Sequence, residues 1–171
     1  IPLRLVGSEM CIRDSNGDAD YCAADLKLQG FSGSTFMLQT PEQAFEVMVN
    51  VPGRQGVYNA LAAAAVADAL GVSASTIREG LGAVNPAPGR GCVEVLSNDV
   101  ALVDDSYNAN PIAVRAAIDV LASAPGCRRL VLGAMLELGL DEEQLHFEMG
   151  TYAQEAGIDA VSYTHLRAHE T

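Results

Sequence analysis

The sequence has 171 residues, of which 49% are hydrophobic, and its 10 basic and 22 acidic side chains give a formal net charge of −12. A chain of this length can bury a core, and no apolar run approaches the ~20 residues that span a bilayer. The acidic balance argues against a non-specific nucleic-acid binder, which needs a basic surface. We therefore predict a soluble globular chain with no nucleic-acid partner and no membrane insertion. The four cysteines lie far apart without a C-x-x-C pair, which favours reduced thiols in the cytoplasm.

The two ends of the chain, residues 1–15 and 162–171, match no element pattern of their neighbours. Both resemble translated read-through of sequencing adapters, so we expect non-native tails and leave them out of the fold. His165 and His169 in the second tail have a spacing that can bind zinc on a helix. Because H-L-R-A-H lacks the glutamate of H-E-x-x-H and a third ligand, we predict no metal site there.

The first half of the interior begins with short strand-like runs separated by Gly- and Pro-containing turns. Such punctuation predicts a meander or a sheet edge. The runs are Leu26–Leu28, Thr35–Leu38 and Phe45–Val51.

Two helices are predicted next, the first in the stretch GVYNALAAAAVADALG. Gly71 is placed to end this helix, and a shorter one is predicted from Ser75 to Leu81, capped by Ser73 or Ser75. The predicted buried face of the first helix holds its larger apolar residues, Tyr58, Leu61, Val66 and Leu70, filled in by Ala62, Ala65 and Ala69. The run of alanines predicts that this helix approaches a sheet closely.

The segment from Asn85 to Gly91, NPAPGRG, is the best candidate for a domain boundary. We predict one domain over residues 16–87 and a second over residues 88–161. The second alternates strands with helices, which indicates β-α-β units and an α/β fold with a mostly parallel sheet. Its predicted elements are strands Val93–Leu96 and Ala101–Val103, helix Ile112–Ala124, strand Arg129–Leu132, helix Glu142–Ala156 and strand Ala160–Val161.

The stretch VDDSYNANP turns from an apolar strand into a helix. Asn110 and Pro111 are an N-cap and a first-turn proline, so local structure accounts for both. Asp105 follows Asp104 at the carboxyl end of the strand, the edge where open α/β sheets bind ligands. Two interpretations of Asp105 remain open: a carboxylate that accepts hydrogen bonds from ribose hydroxyls, or part of a solvated turn.

Three further residues could carry chemistry. Arg90 lies in the Pro- and Gly-rich boundary, either as ordinary surface or as a guanidinium that reaches a phosphate. Glu137 lies in LGAMLELG, a strand-to-turn pattern that is a weak sign of a ligand loop. His146 stands on a predicted helix, where a lone histidine is more often packed or solvent-facing than catalytic.

Taken in order, PGRQGVYNALAAAAVADALG, PAPGR, VDDSYNANP, VLGAMLELG and LHFEMGTYAQEAGID resemble the Mur ligases over roughly residues 17–161. The resemblance implies a fragment that holds the end of a central ATPase domain and the first part of a Rossmann-like C-terminal domain. The reaction it implies is the ATP-driven addition of D-alanyl-D-alanine to UDP-N-acetylmuramoyl-tripeptide through an acyl phosphate, in peptidoglycan synthesis.

The resemblance also implies roles for particular residues. Arg90 matches the catalytic arginine that reaches the terminal phosphates of ATP, and Glu137 lies in the loop on the dipeptide side. The implied nucleotide contacts are Asn59 at the adenine, Asp105 at the ribose, and Tyr107, Asn108 and Asn110 around the nucleotide.

Two stretches depart from the family pattern. The family usually has G-x-H-N where this chain has Gly53-Arg54-Gln55-Gly56, and it usually has an acid at the position of Ala134. The P-loop, the modified lysine and the acids that bind Mg²⁺ lie upstream in the family. The implied cofactors are therefore ATP and Mg²⁺, and we expect this chain alone to be inactive.

Alternative functions come from two classes. Another ligase of the same superfamily, of the folylpolyglutamate or cyanophycin type, would keep the fold and change the substrates, although DDSYNANP argues against it. A stand-alone nucleotide-binding module without catalysis would melt cooperatively as a compact domain. The resemblance further implies a cytoplasmic enzyme that is a monomer when full length.

Overall fold

The computed structural model describes residues 20–96 and 99–163. The chain divides between Pro86 and Ala87 into two compact units. The predicted tail at 1–15 and the histidine pair in the second tail lie outside the described residues. No helix within the described ranges is long and apolar enough to cross a membrane.

The first unit begins with a three-stranded antiparallel sheet in the order β1-β2-β3, which is the predicted meander. Its strands are β1 (Cys22–Leu28), β2 (Ser34–Gln39) and β3 (Ala44–Val49). Side chains alternate between the two faces of a strand, so Phe36 and Leu38 of β2 point to the same side. Both are buried with Val47 and Val49 of β3 in the core of this unit.

Helix α1 (Gly53–Ala69) buries a different face from the one predicted. Val57, Leu61 and five small residues lie inside, whereas Val66 is 51% exposed and Leu70 is 78% exposed. Positions 57, 60, 61, 64 and 65 form one continuous helical stripe with helical spacing. Because most of these side chains are alanines, the helix can lie close to the sheet, so side-chain size alone was a poor guide.

The end of α1 follows the predicted stop signal. Gly71 has φ +77°, and hydrogen bonds run from its N–H to Asp68 O at 2.8 Å and from Val72 N–H to Ala67 O at 3.0 Å. This is a Schellman arrangement, which glycine favours because it adopts positive φ without strain. Helix α2 (Ala74–Ala83) then starts at Ser73, whose side chain accepts a hydrogen bond from Thr76 N–H.

The second unit has the α/β organisation that the sequence predicts, with four strands and two α-helices among its described residues. Parallel pairing joins β6 to β7 across helix α4, whereas β4 and β5 pair antiparallel. The segment between β4 and β5 is too short for a parallel crossover, so these strands form a hairpin. The elements are β4 (Cys92–Val95), β5 (Ala101–Asp104), α3 (Pro111–Ala122), β6 (Arg129–Leu132), α4 (Glu142–Glu155) and β7 (Ala160–Tyr163).

Strand β7 runs two residues beyond the predicted end of the fold at residue 161. Ser162 and Tyr163 pair with Val131 and Leu132 of β6, so the strand is two residues longer than the predicted Ala160–Val161. The core of the second unit lies between α3, α4 and β6. Its buried members are Val114, Ile118, Leu132, Met135, Met149, Ala153 and Ile158.

Candidate functional site

Two loops of the second unit lie against each other and form a cluster of residues 89–91 and 104–107, called here the Arg90 cluster. Gly91 N–H donates to Asp104 O at 2.9 Å, and Tyr107 N–H donates to Gly89 O at 3.0 Å. The first loop precedes β4, and the second follows β5. Since β4 and β5 pair with Cys92 opposite Asp104, the hairpin itself brings the two loops together.

Glycine at position 89 permits this close approach. Gly89 has φ +72°, and a Cβ added there would lie 3.2 Å from both Cβ and N of Tyr107. Either feature alone would disfavour a side chain. The dipeptide Gly89-Arg90 therefore places a long basic side chain directly after a residue that must remain small.

The Arg90 guanidinium lies over the ring of Tyr107, with Cζ 4.0 Å from the ring centroid. The Tyr107 ring stays largely exposed. A guanidinium stacked in this way keeps its N–H edges available for a carboxylate or a phosphate. The stack thus holds an anion-binding group at the surface without consuming its hydrogen-bond donors.

The two adjacent aspartates have different surroundings. Asp104 Oδ1 accepts a hydrogen bond from Ser106 N–H at 3.1 Å. Hydrogen bonds from the Ser106 hydroxyl and N–H, with a smaller one from the Gly89 N–H, hold the pKa of Asp104 below its ordinary value. Asp104 therefore organises the turn as an ionised acceptor.

Asp105 does not organise the turn in this way. Its side chain lies at the surface, yet neighbouring atoms remove enough water that burial raises its pKa, and the nearby Arg90 guanidinium only partly opposes this. No ion pair joins the two residues within the described part of the chain. A partly desolvated carboxylate beside a guanidinium is a suitable acceptor for hydroxyl groups of a ligand.

The two asparagines of the same stretch also differ in role. Asn110 caps α3, since its Oδ1 accepts a hydrogen bond from Ala113 N–H at 2.9 Å, and Pro111 occupies the first turn. This is the predicted local structure. Asn108 is exposed, so its amide lies on the surface of the unit near the Arg90 cluster.

Glu137 lies on another loop of the second unit, after β6. It is exposed and has φ +63°, a conformation that non-glycine residues rarely adopt. The structure shows no hydrogen bond or ion pair between Glu137 and the Arg90 cluster among the residues that it describes. Ala134 is half-buried in the same loop.

The predicted adenine contact, Asn59, belongs to the first unit, where it is exposed on α1. Gln55 is exposed one turn earlier, and Gly56 is buried. A Cβ at Gly56 would lie 2.5 Å from Val51 O. The asparagine that the family pattern places at this position therefore does not fit the backbone of this chain without a shift.

The structure thus brings together Arg90, Asp105 and Tyr107, and leaves Glu137 on a separate loop. Sequence reasoning assigned no role of its own to Asp104, whose signal was an acid two residues before Ser106 at a strand end. It also overlooked Gly89, whose signal was a glycine next to the boundary arginine.

Comparison with known proteins gives one consistent result. Residues 91–171 match the family described as Mur ligase, glutamate ligase domain. The UDP-N-acetylmuramoyl-tripeptide–D-alanyl-D-alanine ligase of Escherichia coli is 39% identical over 167 residues, which cover 96% of this chain and 37% of that protein.

Solved structures agree. MurF from Acinetobacter baumannii superposes with a TM-score of 0.81 at 34% identity, covering 85% of this chain and 32% of its own. The MurF ligase of Thermotoga maritima, solved in complex with ADP, superposes with a TM-score of 0.72 at 27% identity, covering 84% of this chain and 33% of its own. This chain spans about a third of the length of these relatives.

Proposed function

We propose, on the premise that this chain belongs to the Mur ligase family, that it is part of an ATP-dependent ligase. The ligase would add D-alanyl-D-alanine to UDP-N-acetylmuramoyl-tripeptide, acting in the cytoplasm as a monomer. The observation that carries the proposal is the Arg90 cluster, in which Arg90 lies over Tyr107 with its Cζ 4.0 Å from the ring centroid.

The implied chemistry has two steps. A carboxylate oxygen of the tripeptide attacks the γ-phosphorus of ATP, which forms an acyl phosphate and releases ADP. The amine of D-alanyl-D-alanine then attacks the acyl carbon, forms the amide bond, and releases phosphate and a proton. Phosphoryl transfer of this kind depends on positioning and on neutralising negative charge.

Each group of this chain has a part in those steps. Arg90 neutralises charge on the terminal phosphates with donors that its stack on Tyr107 leaves available. Asp105 accepts hydrogen bonds from the ribose, and Asn108 and Asn110 line the same edge. Asn59 contacts the adenine, and Glu137 faces the dipeptide amine.

Mg²⁺, when bound, neutralises phosphate charge in such ligases. Within residues 20–96 and 99–163, no group of three or more carboxylate, imidazole or thiol side chains is placed to hold a metal ion.

Nucleotide binding by the purified chain is the direct test. We expect a fluorescent ATP analogue to bind, Arg90→Ala and Asp105→Ala to weaken it several-fold, and ATP hydrolysis to be absent. Arg129→Ala is the matched control, because Arg129 is also an exposed arginine of the second unit. Equal affinities for the Arg90 and Arg129 variants would contradict the site.

A chimera tests the reaction. Residues 20–163 would replace the matching part of the Escherichia coli ligase, and phosphate release would be measured with UDP-N-acetylmuramoyl-tripeptide. We expect release that requires both ATP and D-alanyl-D-alanine. A folded chimera that binds ATP but accepts glutamate instead would favour the folylpolyglutamate type, and one that binds ATP without any ligation would favour a non-catalytic module.

A further inference from the structure

The loop that carries Glu137 is anchored on both sides of its exposed tip. Met135 is fully buried, and Leu138 packs against the same core. Between them Leu136 is 71% exposed, and Glu137 takes φ +63°. The two anchors and the left-handed residue together determine the backbone path of the loop at Glu137.

The polar contact of this loop is made by His146, one turn into α4. The buried His146 Nε2 accepts a hydrogen bond from Met135 N–H at 2.9 Å. Its Nδ1 lies 2.8 Å from Glu142 O, a carbonyl that can only accept. The ring is therefore neutral with its proton on Nδ1, since a proton on Nε2 would remove the acceptor.

The position of the ring is fixed independently of the loop. Neighbouring Met149 of α4 is fully buried in the core of the second unit. The His146 backbone oxygen also accepts a long hydrogen bond, 3.4 Å, from the Tyr163 hydroxyl. The loop is thus attached through one buried imidazole to a helix that packs in the core of the second unit.

We propose that His146 is a positioning residue that orients the Glu137 loop through Met135 N–H. Apolar packing alone would explain a buried ring but would not require an acceptor at Nε2. The substrate that this loop faces, the amine of a dipeptide, rests on the proposed function. The orientation of the loop by His146 does not.

Three variants of the complete chain distinguish a hydrogen-bond acceptor at position 146 from a side chain that only fills space. Glutamine at 146 can place its Oε1 where Nε2 lies, asparagine is too short to reach, and leucine fills space without accepting. In isotope-labelled chain we expect the Met135 amide to exchange roughly tenfold faster in His146→Leu and His146→Asn, and the Glu137 amide resonance to shift. His146→Gln should restore both signals.

Heteronuclear NMR of the unmodified chain should show a His146 ring whose Nδ1 carries the proton. A ring protonated at Nε2, or a leucine variant that keeps the slow Met135 exchange and the native Glu137 resonance, would overturn the proposal. A folded leucine variant whose core resonances stay native excludes general unfolding as the cause.

The chimera with the Escherichia coli ligase supplies the functional arm. His146→Leu there should raise KM for D-alanyl-D-alanine several-fold and leave KM for ATP unchanged, with recovery in His146→Gln. Equal changes in both KM values would refute a role on the amine side. If the chimera never ligates while the NMR results hold, the proposed function fails and the loop orientation stands.

Discussion

Gly89→Ala tests the geometry of the Arg90 cluster, and Gly126→Ala is its matched control. Both glycines lie in the second unit and have positive φ, +72° and +86°. A Cβ at Gly126 meets nothing within 4 Å, whereas one at Gly89 lies 3.2 Å from Tyr107 Cβ and N. The two substitutions therefore share the backbone penalty, and only Gly89→Ala also brings a Cβ against Tyr107.

The expected magnitudes follow from that difference. An alanine with left-handed φ costs about 1–2 kcal/mol, and restriction of the unfolded chain offsets about 0.4–1 kcal/mol. Gly126→Ala should therefore lower the free energy of unfolding by about 1 kcal/mol. Gly89→Ala should lose in addition about 0.5–1.5 kcal/mol for the Tyr107 N–H to Gly89 O bond and about 0.5–1 kcal/mol for the Arg90–Tyr107 stack.

Urea unfolding followed by far-UV circular dichroism measures the free energy of unfolding of both variants, and both substitutions lie in the second unit. We expect a gap of about 1–2.5 kcal/mol between them, and weaker binding of an ATP analogue in Gly89→Ala alone. If the two variants unfold with the same free energy and bind nucleotide equally, the close approach of Gly89 to Tyr107 does not govern the site.

Three further predictions address charge and packing. Burial raises the pKa of Asp105, so the stability that this carboxyl contributes is full below its unfolded pKa and is lost as pH rises through its folded pKa. Asp105→Asn should therefore raise Tm at neutral pH, and a gain in Tm that persists in strong acid would contradict this cause. Burial, with the hydrogen bond to Asp68, raises the pKa of Tyr21 to about 12, so an alkaline absorbance titration of Tyr21→Phe should lack the tyrosine that ionises last. The stabilisation by this hydroxyl is present below its unfolded pKa and should be lost as pH rises through about 12. Ile118 is fully buried and Ile112 is 76% exposed. Ile118→Ala should lower the free energy of unfolding in urea by about 2–5 kcal/mol, and Ile112→Ala should lower it by under ~0.5 kcal/mol. Equal losses would show that α3 buries another face.

Much of the fold could be predicted because its signals are local. Gly71 ends α1 and Asn110 caps α3 through hydrogen bonds that span only a few residues, and such bonds depend on residue type and φ alone. The buried face of α1 could not be predicted from side-chain size. The sheet selects the alanine stripe because small side chains allow the helix to come close.

The candidate site divides in the same way. The sequence by itself determined the Mur ligase motifs and the residues Arg90, Asp105 and Tyr107 as candidates. Only the tertiary structure decided that Arg90 stacks on Tyr107, that Asp105 stays exposed in the same cluster, and that His146 Nε2 accepts a hydrogen bond from Met135 N–H. The stack and the Met135–His146 hydrogen bond depend on how backbone segments that are distant in sequence come together, whereas the bond from Ser106 N–H to Asp104 is local. The pairing of β4 with β5 and the packing of α4 against β6 set those distances, and no local residue preference encodes them.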